Sequence, residues 1–256
     1  MKVAILAGGM GTRLAEETEI RPKPMVEIGG KPILWHIMRY YDHFGFKDFV
    51  VALGYKGDQI RRFFRDYGTS FGDLTIDLAS GITETRGVDQ IEKWRIELID
   101  TGDHTNTGGR IKRLSPFLGN QTFMLTWGDG VADIDLSRLL EFHRSHGRLA
   151  TVTAVHPPAR FGQVEVEGEK AVQISDRPLQ RGWINGAFFV LEPEVLQYID
   201  DDSTQWERAP LERLAAEGEL MAFKHEGFWQ CMDTMHDKAL LESLWQSGRA
   251  QWRVWD

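Results

Sequence analysis

The 256-residue chain has only one cysteine, Cys231. An internal disulfide is impossible, and a reducing compartment is the natural setting, so the expected location is the cytoplasm. Long apolar runs are also missing. Val3 to Ala7 is apolar, but a glycine-rich stretch follows at once. That is too short for a signal peptide or a membrane-spanning helix, and no membrane role is expected. Positive charge is not in excess: 30 Lys and Arg stand against 38 Asp and Glu, a net charge of −8. A protein that coats nucleic acid needs basic patches, so that class is disfavoured. A nucleotide ligand is not, because a small site needs only a few local cations. Internal repeats and low-complexity linkers are absent as well. With 42% hydrophobic residues, the chain has material for a sizeable core, and the expectation is a single domain over residues 1–256.

Val3 to Ala7 ends in glycines, the pattern of a strand buried on both faces of a parallel sheet. Pro32 to Phe44 reads as a helix with proline in its first turn. Further strands are expected at Asp48 to Leu53, Trp94 to Ile99, Thr122 to Thr126 and Ala150 to Val155, with helices at Asp58 to Tyr67 and Leu136 to His146. Alternating strands and helices imply an α/β fold with a parallel sheet. After Pro157 the pattern changes. Gly162 to Ile174 looks like two short strands around Gly168, and Trp183 to Leu191 like another strand. Helices are expected at Pro193 to Ile199, Glu207 to Glu217 and Met235 to Ser247. Two lobes of one fold are the expected organisation, about 1–156 and 157–256. Ligands of such sheets sit beyond the carboxyl ends of the strands, which directs attention to the loops after Ala7, Leu53, Ile99 and Thr126.

The first of these loops is Leu6-Ala7-Gly8-Gly9-Met10-Gly11-Thr12-Arg13-Leu14. Its glycines let the backbone approach a phosphate closely, and Arg13 adds a planar cationic fork. Two common phosphate loops do not fit. A dinucleotide fingerprint needs a third glycine where Leu14 stands, and a Walker loop needs Gly-Lys-Ser/Thr. An NAD enzyme and a P-loop ATPase are both disfavoured.

With Arg21-Pro22-Lys23-Pro24-Met25 following it, this loop resembles the signature of sugar nucleotidyltransferases. The segment Val26 to Met38 narrows the likeness to the glucose-1-phosphate cytidylyltransferases. The likeness continues through Gly102-Asp103, Thr107-Gly108-Gly109-Arg110, Gly128-Asp129-Gly130-Val131-Ala132-Asp133, Ile184-Asn185-Gly186 and Gly227 to Thr234. It covers nearly the whole chain. It implies a Rossmann-like, glycosyltransferase-A-like, mostly parallel sheet flanked by helices, with a smaller β-rich lobe for the sugar. The implied reaction is cytidylyl transfer from CTP to a sugar 1-phosphate, with α-D-glucose 1-phosphate the favoured acceptor. It also implies a homo-oligomer, as large as a hexamer, serving polysaccharide biosynthesis.

Nucleotidyl transfer joins two anions, and the nucleophile is already ionised at neutral pH. No general base is required; catalysis rests on positioning and charge neutralisation. Leu6, Ala7, Gly8, Gly9, Gly11, Thr12 and Gly128 form the implied nucleotide cradle. The resemblance makes Arg13 and Lys23 ligands of the triphosphate, and Lys23 is presented from a segment stiffened by two prolines. Asp129 follows an apolar strand and suits magnesium, which prefers one or two carboxylates plus phosphate oxygens and water. Asp233 is the second carboxylate by resemblance, since spacing alone would not pair it with Asp129. Cytosine presents two acceptors at N3 and O2 whereas uracil N3 carries a proton, so an arginine facing that edge favours cytosine. The resemblance assigns this to Arg110, helped by residues near Asp103 and His104.

Other readings are weighed against these. Uridylyl- and thymidylyltransferases share the first loop and lysine but lack the Thr-Gly-Gly-Arg stretch. A non-catalytic nucleotide-sugar-binding protein is expected to have lost Lys23, Asp129 or Asp233, and all three are present. Asp133 and Asp135 look like helix caps, His143 and His146 like structural residues, and Asp200 to Asp202 like a polar turn. Where the family usually carries Glu-Lys-Pro, this chain has Asp176-Arg177-Pro178, and Ala187 stands where Asn-Gly-Gly is usual. Asp176, Arg177 and Asn185 are the implied sugar-phosphate ligands. The shorter carboxylate and the forked cation keep the charges but bear on which sugar or polyol phosphate is accepted.

Overall fold

The structure is a computed structural model that describes residues 1–256 apart from Met10, 12–13, Phe71, 88–90, 158–162, 176–181 and Asp256. Its first half contains β1 (Lys2–Leu6), α1 (Ala15–Thr18), β2 (Glu27–Ile28), β3 (Lys31–Pro32), α2 (Ile33–His43), β4 (Asp48–Leu53), α3 (Gly57–Arg65), β5 (Asp73–Asp77), β6 (Ile82–Arg86), β7 (Arg95–Asp100), α4 (Thr107–Leu118) and β8 (Phe123–Trp127). The second half adds β9 (Gly130–Ala132), α5 (Leu136–His146), β10 (Ala150–Val155), β11 (Gln163–Glu167), β12 (Lys170–Ser175), β13 (Ile184–Leu191), α6 (Ala209–Ala216), β14 (Leu220–His225), β15 (Trp229–Cys231) and α7 (Met235–Gln246).

Seven strands form the central sheet in the order β14-β10-β13-β8-β1-β4-β7. β1 lies between β4 and β8, parallel to both. Its near-continuous apolar sequence follows from burial on both faces. Val3 and Ile5 point into one core with α2, α7 and the C-terminal tryptophans. Ala4 and Leu6 point into the other, with Ile111 and Leu114 of α4 and with Trp206. This alternation is the two-residue period of a strand serving two layers at once.

β13 is the exception to the parallel order, antiparallel to both β8 and β10. Val155 at the end of β10 pairs with Ile184 at the start of β13. The chain between them leaves the sheet and returns to the adjacent position, forming the β11–β12 hairpin on the way. The expected α/β sheet is therefore present, mostly parallel and flanked by helices. The sequence reading missed several elements, among them the helix α4 and the short strands β2, β3, β9 and β15. Pro193–Tyr198 is a 3-10 helix. The exposed β5–β6 hairpin and the edge strand β14, which pairs only with β10 in this sheet, were not anticipated. β14 (Leu-Met-Ala-Phe-Lys-His) shows no clean alternation of apolar and polar residues, whereas β5 (Asp-Leu-Thr-Ile-Asp) alternates but has every residue exposed.

Candidate active site

The carboxyl ends of β1 and β8 open on a cavity of about 450 Å³. Leu6, Ala7, Gly8, Gly9, Gly11, Lys23, His104, Arg110, Gly128 and Asp129 all line it. Every described residue to which the sequence assigned the nucleotide thus faces one space. Thr12 and Arg13 lie outside the described residues. The loops after β1, β7 and β8 supply the lining, while Gly54 after β4 packs behind it against Arg110.

Lys23, Asp129 and Asp233 meet at one edge of this cavity. Asp129 sits in the turn between β8 and β9. β9 pairs antiparallel with β15, placing Gly130 opposite Cys231, and the Met232 N–H donates to the Asp129 carbonyl at 2.9 Å. This two-strand ladder brings together two carboxylates a hundred residues apart. Lys23 Nζ lies 2.5 Å from Asp129 Oδ2 and 2.6 Å from Asp233 Oδ1. Burial disfavours its ammonium, but the charge and hydrogen bonds of Asp129, then those of Asp233, outweigh that cost and raise its pKa above the ordinary lysine value. Lys23 opens a short 3-10 turn whose N-cap is Pro22 and whose second residue is Pro24. The neighbouring Cys231 thiol is pushed up to about 12, first by burial and then by the charge of Asp233 and Asp129, and stays protonated.

Asp233 is not the cap of the final helix. Thr234 is, in a capping box with Asp237, and Asp237 also accepts from the Asp233 N–H at 3.0 Å. The Asp233 side chain is thereby left to face Lys23. Asp135 caps α5 as expected, whereas Asp133 faces His225 at 2.9 Å.

Arg110 is 4% exposed. Its Nη1 donates to the Leu53 carbonyl at 3.0 Å and to Thr101 Oγ1 at 2.6 Å. Nη2 donates to the carbonyls of Gly8 at 3.0 Å and Asp103 at 3.3 Å. One guanidinium therefore ties the loops after β1, β4 and β7 to the first turn of α4. Burial lowers its pKa, yet an arginine remains charged.

The segment from Ile199 to Glu207 acts as a strap over α4. The Asn106 and Gly108 N–H groups donate to the carbonyls of Asp202 and Thr204 at 2.8 and 2.9 Å. Arg113 pairs with the Asp202 carboxylate through two nitrogens, and Lys112 reaches the carbonyls of Ile199 and Asp200. A Cβ at Gly109 would meet Asp202 Cα at 2.5 Å. The glycines of the Thr-Gly-Gly-Arg stretch are thus explained by the close approach of the strap, and Asp200 to Asp202 is more than a polar turn.

On the acceptor side, Asp176 and Arg177 lie outside the described residues. Asn185 stands at a bulge where β13 slips against β10, and its Oδ1 accepts from the Ala187 N–H at 2.8 Å. Ala187 has φ 61°, the left-handed region that favours glycine. His143 and His146 share the Thr151 hydroxyl at 2.8 Å each, in keeping with structural roles.

Thr107, part of the Thr-Gly-Gly-Arg stretch, lines the cavity too. Thr101, Thr105 and Asn106 were not singled out from the sequence. Thr101 accepts from Arg110, and the other two line the cavity. Their only signal was their place after β7, in one of the loops at the sheet's carboxyl edge.

The model of the nucleotidyl transferase family matches residues 2–243. A glucose-1-phosphate cytidylyltransferase of Salmonella typhi is 49% identical over 258 residues, covering 100% of both chains. The chain belongs to the glucose-1-phosphate cytidylyltransferase family of nucleotidyl transferases. A probable glucose-1-phosphate cytidylyltransferase of Bacillus subtilis is 43% identical, again over 100% of both chains. Among solved structures, HddC from Yersinia pseudotuberculosis complexed with GMP-PN superposes with a TM-score of 0.70 at 22% identity, covering 95% of this chain and 99% of that one. The inositol-1-phosphate CTP transferase of T. maritima gives 0.68 at 16% identity, covering 99% and 96%. At those identities the likeness is one of fold.

Proposed function

We propose that the protein transfers a cytidylyl group from CTP to α-D-glucose 1-phosphate, releasing pyrophosphate and CDP-glucose. The observation that carries this reading is the meeting of Lys23, Asp129 and Asp233 beside the glycine loop, in a chain matched end to end by glucose-1-phosphate cytidylyltransferases. A phosphate oxygen of the acceptor attacks the α-phosphorus, and the bond to the β-phosphate breaks opposite. The chain's task is to hold both anions in line and to neutralise charge. Lys23 and Arg13 serve the triphosphate, and the backbone from Leu6 to Gly11 with Thr12 and Gly128 cradles it. Arg110 and His104 serve the base. Asp176, Arg177 and Asn185 serve the sugar phosphate.

Magnesium belongs to the same proposal. The Lys23 ammonium is itself a cation held between two carboxylate oxygens, so the donor set suits positive charge. Among the described residues no third histidine, cysteine or carboxylate joins to make a closed metal cage. Two carboxylates with the remaining positions left to phosphate oxygens and water is a magnesium arrangement. Asp129 and Asp233 would hold the ion, which supplies charge neutralisation on the triphosphate when bound. The division into a nucleotide lobe and a sugar lobe near residue 156 rests on the change of sequence pattern after Pro157, the cytoplasmic location on the single cysteine and the lack of long apolar runs, and homo-oligomeric assembly on the family resemblance.

The test is pyrophosphate release across a panel of CTP, UTP and dTTP with several hexose 1-phosphates and polyol phosphates. CTP with glucose 1-phosphate is expected to be fastest, and both excess chelator and Asp129→Asn should abolish turnover. If glucose 1-phosphate is inert while another acceptor turns over rapidly with CTP, the acceptor assignment fails and the cytidylyl half stands. Preference for UTP or dTTP would remove that half.

A further inference from the structure

Two carboxylates fixed side by side need a counter-charge whether or not a ligand is present. Asp129 and Asp233 are fixed by backbone, through the β9–β15 ladder and the Met232 to Asp129 hydrogen bond. Their repulsion cannot be relieved by drifting apart. Among the described residues, the Lys23 ammonium supplies the counter-charge, within hydrogen-bond distance of both.

An ammonium there and a divalent ion on the same two oxygens exclude one another. Magnesium binds carboxylate oxygens at about 2.0–2.1 Å and fills the gap between them. Lys23 would have to swing away before the ion could enter. Its backbone stays put, in a turn flanked by Pro22 and containing Pro24. The side chain runs beside the glycine loop, since a Cβ at Gly11 would lie 3.2 Å from Lys23 Cβ. Leaving the carboxylates would cost the largely buried ammonium both of its anionic partners, which is disfavoured unless another anion replaces them. A triphosphate lying along Gly8 to Gly11 provides the partner.

We propose that Lys23 occupies the divalent-cation site of the nucleotide-free protein and vacates it for the triphosphate, so that the metal binds only together with the nucleotide. The inference rests on the reading of Asp129 and Asp233 as metal ligands. By linkage, whatever the nucleotide does to metal affinity the metal does to nucleotide affinity. The lysine makes the free enzyme a poor metal binder and couples the two ligands.

The experiment reads metal binding rather than turnover. Manganese is titrated into nucleotide-free protein and the unbound ion is followed by electron paramagnetic resonance. Wild type should bind weakly, and Lys23→Met should bind one ion about tenfold or more tightly, within the range of ordinary coupling between sites. Equal affinity in wild type and a folded Lys23→Met protein overturns the proposal. Should Lys23→Met be unfolded in chelator, its melting is followed with added magnesium chloride. Recovery of a cooperative transition supports the proposal, and indifference to the salt overturns it. Adding Asp129→Asn and Asp233→Asn to Lys23→Met tests the underlying reading. If tight manganese binding survives, the carboxylate pair is not the metal site at all.

Discussion

The Arg110 guanidinium fills the space that a side chain on Gly8 would need: a Cβ there would lie 2.5 Å from Arg110 Cζ. Gly8→Ala should displace the guanidinium and loosen the loops it ties. Overpacking of this kind costs about 1–3 kcal/mol, and CTP binding should weaken with it. Gly9→Ala is the control, because a Cβ at Gly9 meets nothing within 4 Å, so its stability should stay near wild type. Urea unfolding and calorimetric titration of CTP check both. An unchanged Gly8→Ala protein would mean that Arg110 is free to move aside.

Arg110 is also expected to carry part of the base preference. Removing a hydrogen-bond partner from a buried polar edge costs about 1–3 kcal/mol. Arg110→Ala should therefore raise KM for CTP more than KM for UTP. Equal losses for the two nucleotides would reduce Arg110 to a tie between loops.

Ala187 holds a left-handed backbone without being glycine. That conformation costs an L-residue roughly 1–2 kcal/mol, part of which a glycine gives back through its larger unfolded-state entropy. Ala187→Gly should raise stability by about 0.5–1 kcal/mol, read as a higher denaturant midpoint at unchanged slope. A lower midpoint would show that the Ala187 methyl packs usefully at the bulge.

His36 supplies a pH dependence. It is fully buried among Trp35, Trp245, Trp252 and Trp255, with Nε2 2.8 Å from the Ile28 carbonyl. Burial pulls its pKa down to about 4, against the opposing pull of hydrogen bonds to Ile28 and Lys31 and of the Glu242 charge. The unfolded chain takes up this proton near pH 6.5 and the native protein only near 4, so stability falls as pH drops between those values. The slope is about 1.4 kcal/mol per pH unit, or roughly 2 kcal/mol between pH 6.5 and 5. His36→Gln should flatten the loss measured by urea unfolding from pH 7.5 to 5. A slope identical to wild type would assign the acid sensitivity elsewhere.

The sheet's core could be read from the sequence because its strands are buried on both faces. Asp48 to Leu53 and Ala150 to Val155 were bounded as they are found. So was the helix Leu136 to His146, set between an Asp135 cap and Gly147. β14 escaped because an edge strand between two helices needs no strong apolar period. The candidate site divides in the same way. Gly8, Lys23 and Asp129 stand in local patterns that mean something alone, whereas Asp233 reaches Asp129 only through the β9–β15 ladder, a pairing that spacing does not reveal. The glycines at 108 and 109 were visible, but their reason was not, since the strap that crowds them comes from Ile199 to Glu207.

Val155 and Ile184 are paired neighbours, so everything between them starts and finishes one inter-strand spacing apart, about 4.8 Å. The stretch is a parenthesis in the sheet's sentence. Its length and wording can change while strand order and register on either side stay the same, because the entropy of closing a loop grows only slowly with its length. If the acceptor is held from this stretch, as proposed for Asp176 and Arg177, those contacts are open to change on a timetable separate from the nucleotide loops of β1 and β8. One half of a two-substrate enzyme can diverge while the other half is held constant.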